Sequence, residues 1–67
     1  MAVAKVTEIT SSSSKGFEDA IQAGVTRASK TLENIRGAWI KDMKVVVANG
    51  RVSEYRIRMK VTFVLKD

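Results

Sequence analysis

The 67-residue sequence contains neither cysteine nor histidine. That double absence excludes disulfide staples, thiolate nucleophiles and the zinc centres built from those two ligands. With no recognisable carboxylate pair either, general acid–base and nucleophilic chemistry have little to build on, and the chain is read as a non-enzyme. Calcium or magnesium held by carboxylates stays open. No apolar run approaches the ~20 residues that a membrane helix needs, so no membrane partner is expected. Met1 to Ile9 alternates and carries Lys5 and Glu8, which is unlike a signal peptide, and the expected location is the cytoplasm.

What is present is small and basic. Residues 1–67 make one domain, and a chain of this size buries only about 60% of its unfolded surface as a monomer. Domains this small need a staple, and with disulfides and zinc excluded the one left is association. The formal net charge is +5. It is spread along the chain from Lys5 to Lys66, as expected of a solvated, solubilising surface, although it also favours anionic partners.

Residues 54–65 alternate apolar and polar side chains. Tyr55, Ile57, Met59, Val61, Phe63 and Leu65 fall on one face, and Arg56, Arg58, Lys60 and Thr62 on the other. This period of two predicts a long strand buried on one side. Upstream, Val3–Ile9 reads as a first strand. The serines 11–14 precede a helical period, with Ser13 the expected N-cap. Phe17, Ala20, Ile21, Gly24, Val25, Ala28 and Leu32 form the apolar face of a helix expected over Ser14–Asn34. Its small residues Ala20, Gly24 and Ala28 suit close packing on a sheet. Ile35–Ala48 reads as a second strand, opened by a bend or bulge at Gly37 and covered on both faces at Val45–Val47. Asn49-Gly50 is a hairpin turn.

The element order is therefore β-α-β-β, an α+β fold. A right-handed crossover makes the second strand run parallel to the first, and the third runs against both in a three-stranded sheet ordered 1-3-2. One helix covers one face. The other face is expected to stay partly apolar, which predicts self-association.

Over essentially the whole chain the sequence resembles the dodecin family. The resemblance rests on Val3-Ala-Lys-Val-Thr-Glu-Ile9, on Phe17-Glu-Asp-Ala-Ile21 after the serines, on Arg27-Ala-Ser-Lys-Thr-Leu-Glu-Asn-Ile35, and on Glu54-Tyr-Arg-Ile-Arg-Met-Lys-Val-Thr-Phe63. It implies a sheet curled round its helix and a homododecamer built as a hollow shell. It also implies a small-molecule store in which flavins such as riboflavin or FMN stack between tryptophans, with a glutamine bonded to the ring edge. At least one member of a divergent branch is described as calcium-binding instead; the expected ligand is a flavin or a similar planar anionic cofactor, and the alternative is a shell without flavin, structural or calcium-binding.

Both flavin-contacting positions are altered here. Where the resemblance places the stacking tryptophan, this chain has Gly37; its one tryptophan, Trp39, comes two residues later. In a regular strand Trp39 points the same way as Gly37 but lies ~7 Å further along. Where the resemblance places the glutamine, this chain has Arg56, which donates hydrogen bonds but accepts none. Arg56 suits a phosphate, a carboxylate or an aromatic plane. Trp39, Arg56 and Gly37 are the candidate cofactor-binding residues. Inter-protomer packing for Trp39, and an inter-subunit ion pair to Asp42 or Glu54 for Arg56, are the competing roles. Nucleic acid is disfavoured as a partner, because the basic Arg56, Arg58 and Lys60 face lacks interleaved aromatics.

Overall fold

In the computed structural model of the chain, residues 3–65 are described. Strand β1 (Ala4–Ser13), helix α1 (Phe17–Ala28), strand β2 (Ile35–Ala48) and strand β3 (Arg51–Val64) follow in that order. The sheet runs β1-β3-β2, with β3 antiparallel to both neighbours. The expected β-α-β-β topology and strand order are the observed ones.

The first strand is longer and the helix shorter than their local patterns suggest. Thr10 to Ser13 continue β1, pairing with Arg58, Ile57, Arg56 and Tyr55, so the serines are sheet residues. The helix consequently starts at Phe17, behind Gly16, and no side chain caps it. Ser13, expected as the N-cap, instead closes the preceding turn: its Oγ accepts from the Lys15 backbone N–H at 2.9 Å and donates to Asp19 at 2.6 Å. Glu18 and Asp19 place negative charge at the positive helix end. At the other end the apolar period continues to Leu32, but the backbone tightens after Ala28. Lys30 and Thr31 donate to the carbonyls three residues back, and Asn34 at φ 60° turns the chain into β2.

The core lies between α1 and the middle of the sheet. Ala20, Ile57, Met59 and Val61 are its buried centre, ringed by Ile9, Phe17, Ile21, Val25, Ile35 and Ile40. Ala20, Gly24 and Ala28 are the buried positions of the helix, as their size suggests. Phe17 meets Tyr55 edge to face, with ring centroids 5.1 Å apart.

The helix is too short to cover the sheet. Twelve helical residues span about 18 Å, whereas the fourteen residues of β2 or β3 reach about 48 Å. The hairpin arm projects beyond α1 and leaves Met43, Val45, Val47 and Val52 exposed. The valine run expected to be covered on both faces is open within one chain. The molecule measures 52 × 19 × 13 Å with a radius of gyration of 13.8 Å, against about 11 Å for a compact chain of this length. Its accessible surface is 5008 Å², roughly 800 Å² more than a folded monomer of its mass shows.

Candidate functional site

Residues directly opposite in an antiparallel pair share a face of the sheet, so the register assigns the surface that α1 leaves open. Four rungs cross it: Val6–Thr62–Gly37, Glu8–Lys60–Trp39, Thr10–Arg58–Asp42 and Ser12–Arg56–Lys44. This face is more polar than expected. Val6 and Trp39 are its exposed large apolar side chains within those rungs, and apart from Gly37 the others are hydroxyls, acids and bases.

Three irregularities set this register. A bulge at Arg36, just before Gly37, agrees with the expected break at the start of β2. A second places Lys41 between Ile40 and Asp42, and a third places Ser53 opposite the Val46–Val47 step. The Ser53 hydroxyl donates to the Val46 carbonyl at 3.1 Å. Lys41 reaches over β3 to Glu8, 3.3 Å away, joining the two outer strands.

The acids of these rungs and of the adjoining Glu54 position are engaged. Glu8 holds Lys41, Asp42 holds Arg58 at 3.2 Å, and Glu54 holds the Arg56 Nε at 2.8 Å. The Arg56 hydrogen bond, with a lesser one from Ser12, holds the Glu54 carboxyl below its usual range, and Glu54 raises Arg56 in turn. Arg56 thus forms its ion pair within its own strand. An open cleft of about 560 Å³ is lined by residues of all three strands, among them Glu8, Thr10, Ser12, Asp42, Arg56 and Arg58.

Trp39 shares the Glu8 rung but does not line that cleft; it is 56% exposed, with the Lys60 Nζ 5.3 Å from its ring centroid. Gly37 lies one rung further, on the same face as Trp39, and a Cβ built there meets nothing within 4 Å. The tryptophan and the open space beside it fit one side of a planar aromatic ring. Arg56 is different. It lines the cleft and sits four residues from Lys60 along β3, about 14 Å away, so Trp39 and Arg56 do not converge on one point.

Lys60 and Lys41 are site residues that the sequence reading did not single out. Lys60 is visible in the sequence as one of several bases on the polar face, and its place opposite Trp39 follows from the two-residue turn, since the bulges at Ser53 and Lys41 cancel before Trp39. The Lys41–Glu8 link depends on a bulge that no glycine announces.

Comparison with known proteins agrees with this architecture. The dodecin family model matches residues 3–66. A dodecin of Thermus thermophilus is 34% identical over 65 residues, covering 97% of this chain and 94% of that protein. Among solved structures, a dodecin from Streptomyces davaonensis superposes with a TM-score of 0.95 at 30% identity, over 98% of this chain and 97% of the other. The calcium-chelating antigen of Mycobacterium tuberculosis, a calcium dodecin with a novel calcium-binding site, superposes with a TM-score of 0.83 at 30% identity, over 96% and 91% of the two chains.

Proposed function

Because the chain belongs to the dodecin family, we propose that it is a non-enzymatic, homododecameric store for a flavin such as riboflavin or FMN. The observation that carries the reading is Trp39: a large aromatic ring, mostly exposed, on the open face of the sheet and beside the clear space over Gly37. An indole offers a planar ligand dispersion and quadrupole contact, and a second ring brought by another copy would complete the sandwich. A bound flavin supplies a flat aromatic surface whose excited state an adjacent indole quenches. Arg56, in the cleft about 14 Å along β3, is suited to an anionic substituent of the same ligand once it exchanges its hold on Glu54.

The surplus surface supports assembly. Roughly 800 Å² per partner is the usual size of a stable protein–protein interface, close to the excess this chain exposes. Calcium is the second reading, favoured by the likeness to the calcium dodecin. No group of three or more acidic residues among those described is placed to hold a metal. A site with six to eight oxygens would therefore draw on several copies.

The test is a titration of the size-verified oligomer with riboflavin and FMN, following flavin fluorescence. Saturable quenching near one flavin per chain, abolished by Trp39→Ala in an intact oligomer, is the expected result. Quenching that Trp39→Ala leaves unchanged would remove Trp39 from the site. An intact oligomer that quenches neither flavin but gains thermal stability with calcium would establish the second reading.

A further inference from the structure

We propose that Lys60 sets the ligand preference of the Trp39 platform, selecting planar aromatic rings that carry negative charge on the ring itself. This rests on the stacking role given to Trp39 above. The observation behind it is a missing counter-ion. Lys60 is half-buried in the central strand, flanked on its rung by Glu8 and Trp39. Glu8 is the natural carboxylate partner across the strand pair, yet it is taken by Lys41 from the far side of the sheet. Asp42 is held by Arg58, and Glu54 by Arg56. Among the described residues Lys60 thus meets no carboxylate, and its ammonium lies over the face of the Trp39 ring.

An ammonium over an indole is attracted by the ring quadrupole, but that contact does not neutralise its charge. A neutral ring laid on Trp39 displaces this cation and returns little to it. A ring bearing delocalised negative charge takes its place over the indole and restores an ion pair at the ring edge, within reach of the flexible lysine stem. Lys60 is itself half-buried, so the pairing is weakened less than on a fully exposed surface. The ligand class is therefore an ionised isoalloxazine or a similar heteroaromatic anion, recognised at the ring rather than through a phosphate on its side chain.

The probe is 8-hydroxyriboflavin, whose ring hydroxyl ionises in the weakly acidic range with a change in absorbance and which carries no phosphate. Its ionisation is titrated free, bound to the oligomer, and bound to Lys60→Gln, Lys60→Arg and Lys30→Gln oligomers. Lys60→Met, which keeps an unbranched stem, replaces the glutamine variant if that one does not assemble. The expected result is an anionic form bound about tenfold more tightly than the neutral form, a downward shift of about one pH unit. The shift should be lost in Lys60→Gln or Lys60→Met and kept in Lys60→Arg and Lys30→Gln. An unshifted ionisation, or a shift that survives loss of the Lys60 charge, overturns the proposal and leaves Trp39 stacking intact. Absence of binding to the unmodified oligomer overturns both.

Discussion

Gly24 of the helix lies directly over Met59 of the central strand: a Cβ at residue 24 would stand 2.7 Å from the Met59 Cε and 3.1 Å from the Ser11 Cβ. The close approach explains why a helix residue that costs about 1 kcal/mol of propensity relative to alanine is there. The Met59 methyl is the free end of a flexible side chain, but Met59 is fully buried and has little room to retreat. The Ser11 Cβ is fixed by its strand. Gly24→Ala should therefore lose more to overpacking, about 1–3 kcal/mol, than it gains in propensity. We expect a net destabilisation of about 1 kcal/mol in urea unfolding, and more for Gly24→Val. An alanine variant more stable than the parent would show that the helix can lift off the sheet cheaply.

The hairpin turn makes a second demand on backbone geometry. Asn49 and Gly50 have φ of 53° and 74°, as a two-residue turn matched to strand twist requires. A Cβ at Gly50 meets nothing, so the cost of Gly50→Ala is conformational, about 1 kcal/mol. Asn49→Gly should be close to neutral. Equal losses from the two changes would place the cost in packing rather than in φ.

Acid should expose the Glu54–Arg56 pair. The folded carboxyl of Glu54 lies below its ordinary 4.5 because Arg56, and secondarily Ser12, hydrogen-bond its charged form. Its contribution is present above about that ordinary value and is lost as pH falls through the folded one. Urea midpoints measured from neutral pH into acid should fall less steeply for Glu54→Gln than for the parent. The pair is exposed, so the difference should be small, greatest at low ionic strength and reduced by salt. Superimposable acid limbs at low salt would mean that the pair contributes nothing.

A chain with so few buried side chains should depend on its copies for stability. Among the described residues five apolar ones are buried, and the hairpin arm extends past the helix without cover. Thermal unfolding should move to higher temperature as protein concentration rises, as mass action requires when folding and assembly are linked. A midpoint independent of concentration over two decades, with monomer seen by light scattering, would contradict this.

Much of the fold was legible because its signals are local. The alternation in residues 54–65 marked Ile57, Met59 and Val61 as buried, Asn49-Gly50 marked the turn, and the small stripe Ala20, Gly24, Ala28 marked the helix face. The misreadings share one cause. Ser11, Ser12 and Ser13 look like a helix cap until Ile57, Arg56 and Tyr55, distant in sequence, are found paired with them. Val45 and Val47 look like a doubly covered strand, but no part of the same chain reaches them. At the candidate site Trp39 and Gly37 could be put on one face from their spacing. The pairing of Trp39 with Lys60 also follows from counting back from the Asn49-Gly50 turn, because the bulges at Ser53 and Lys41 lie on opposite strands and cancel; what no local signal announces is the bulge at Lys41 that carries its side chain to Glu8.

Those bulges also bear on how the protein behaves when crowded. Arg36 and Lys41 are extra residues in β2, which forms one border of the sheet. Each interrupts the even row of amide and carbonyl groups along that border and increases its twist. A foreign strand seeking a straight template finds the spacing broken twice within a few residues, with Lys41 and Arg36 adding charge at the breaks. The irregular border thus favours solubility at high concentration, because it discourages the edge-to-edge stacking by which flat sheets grow into fibres.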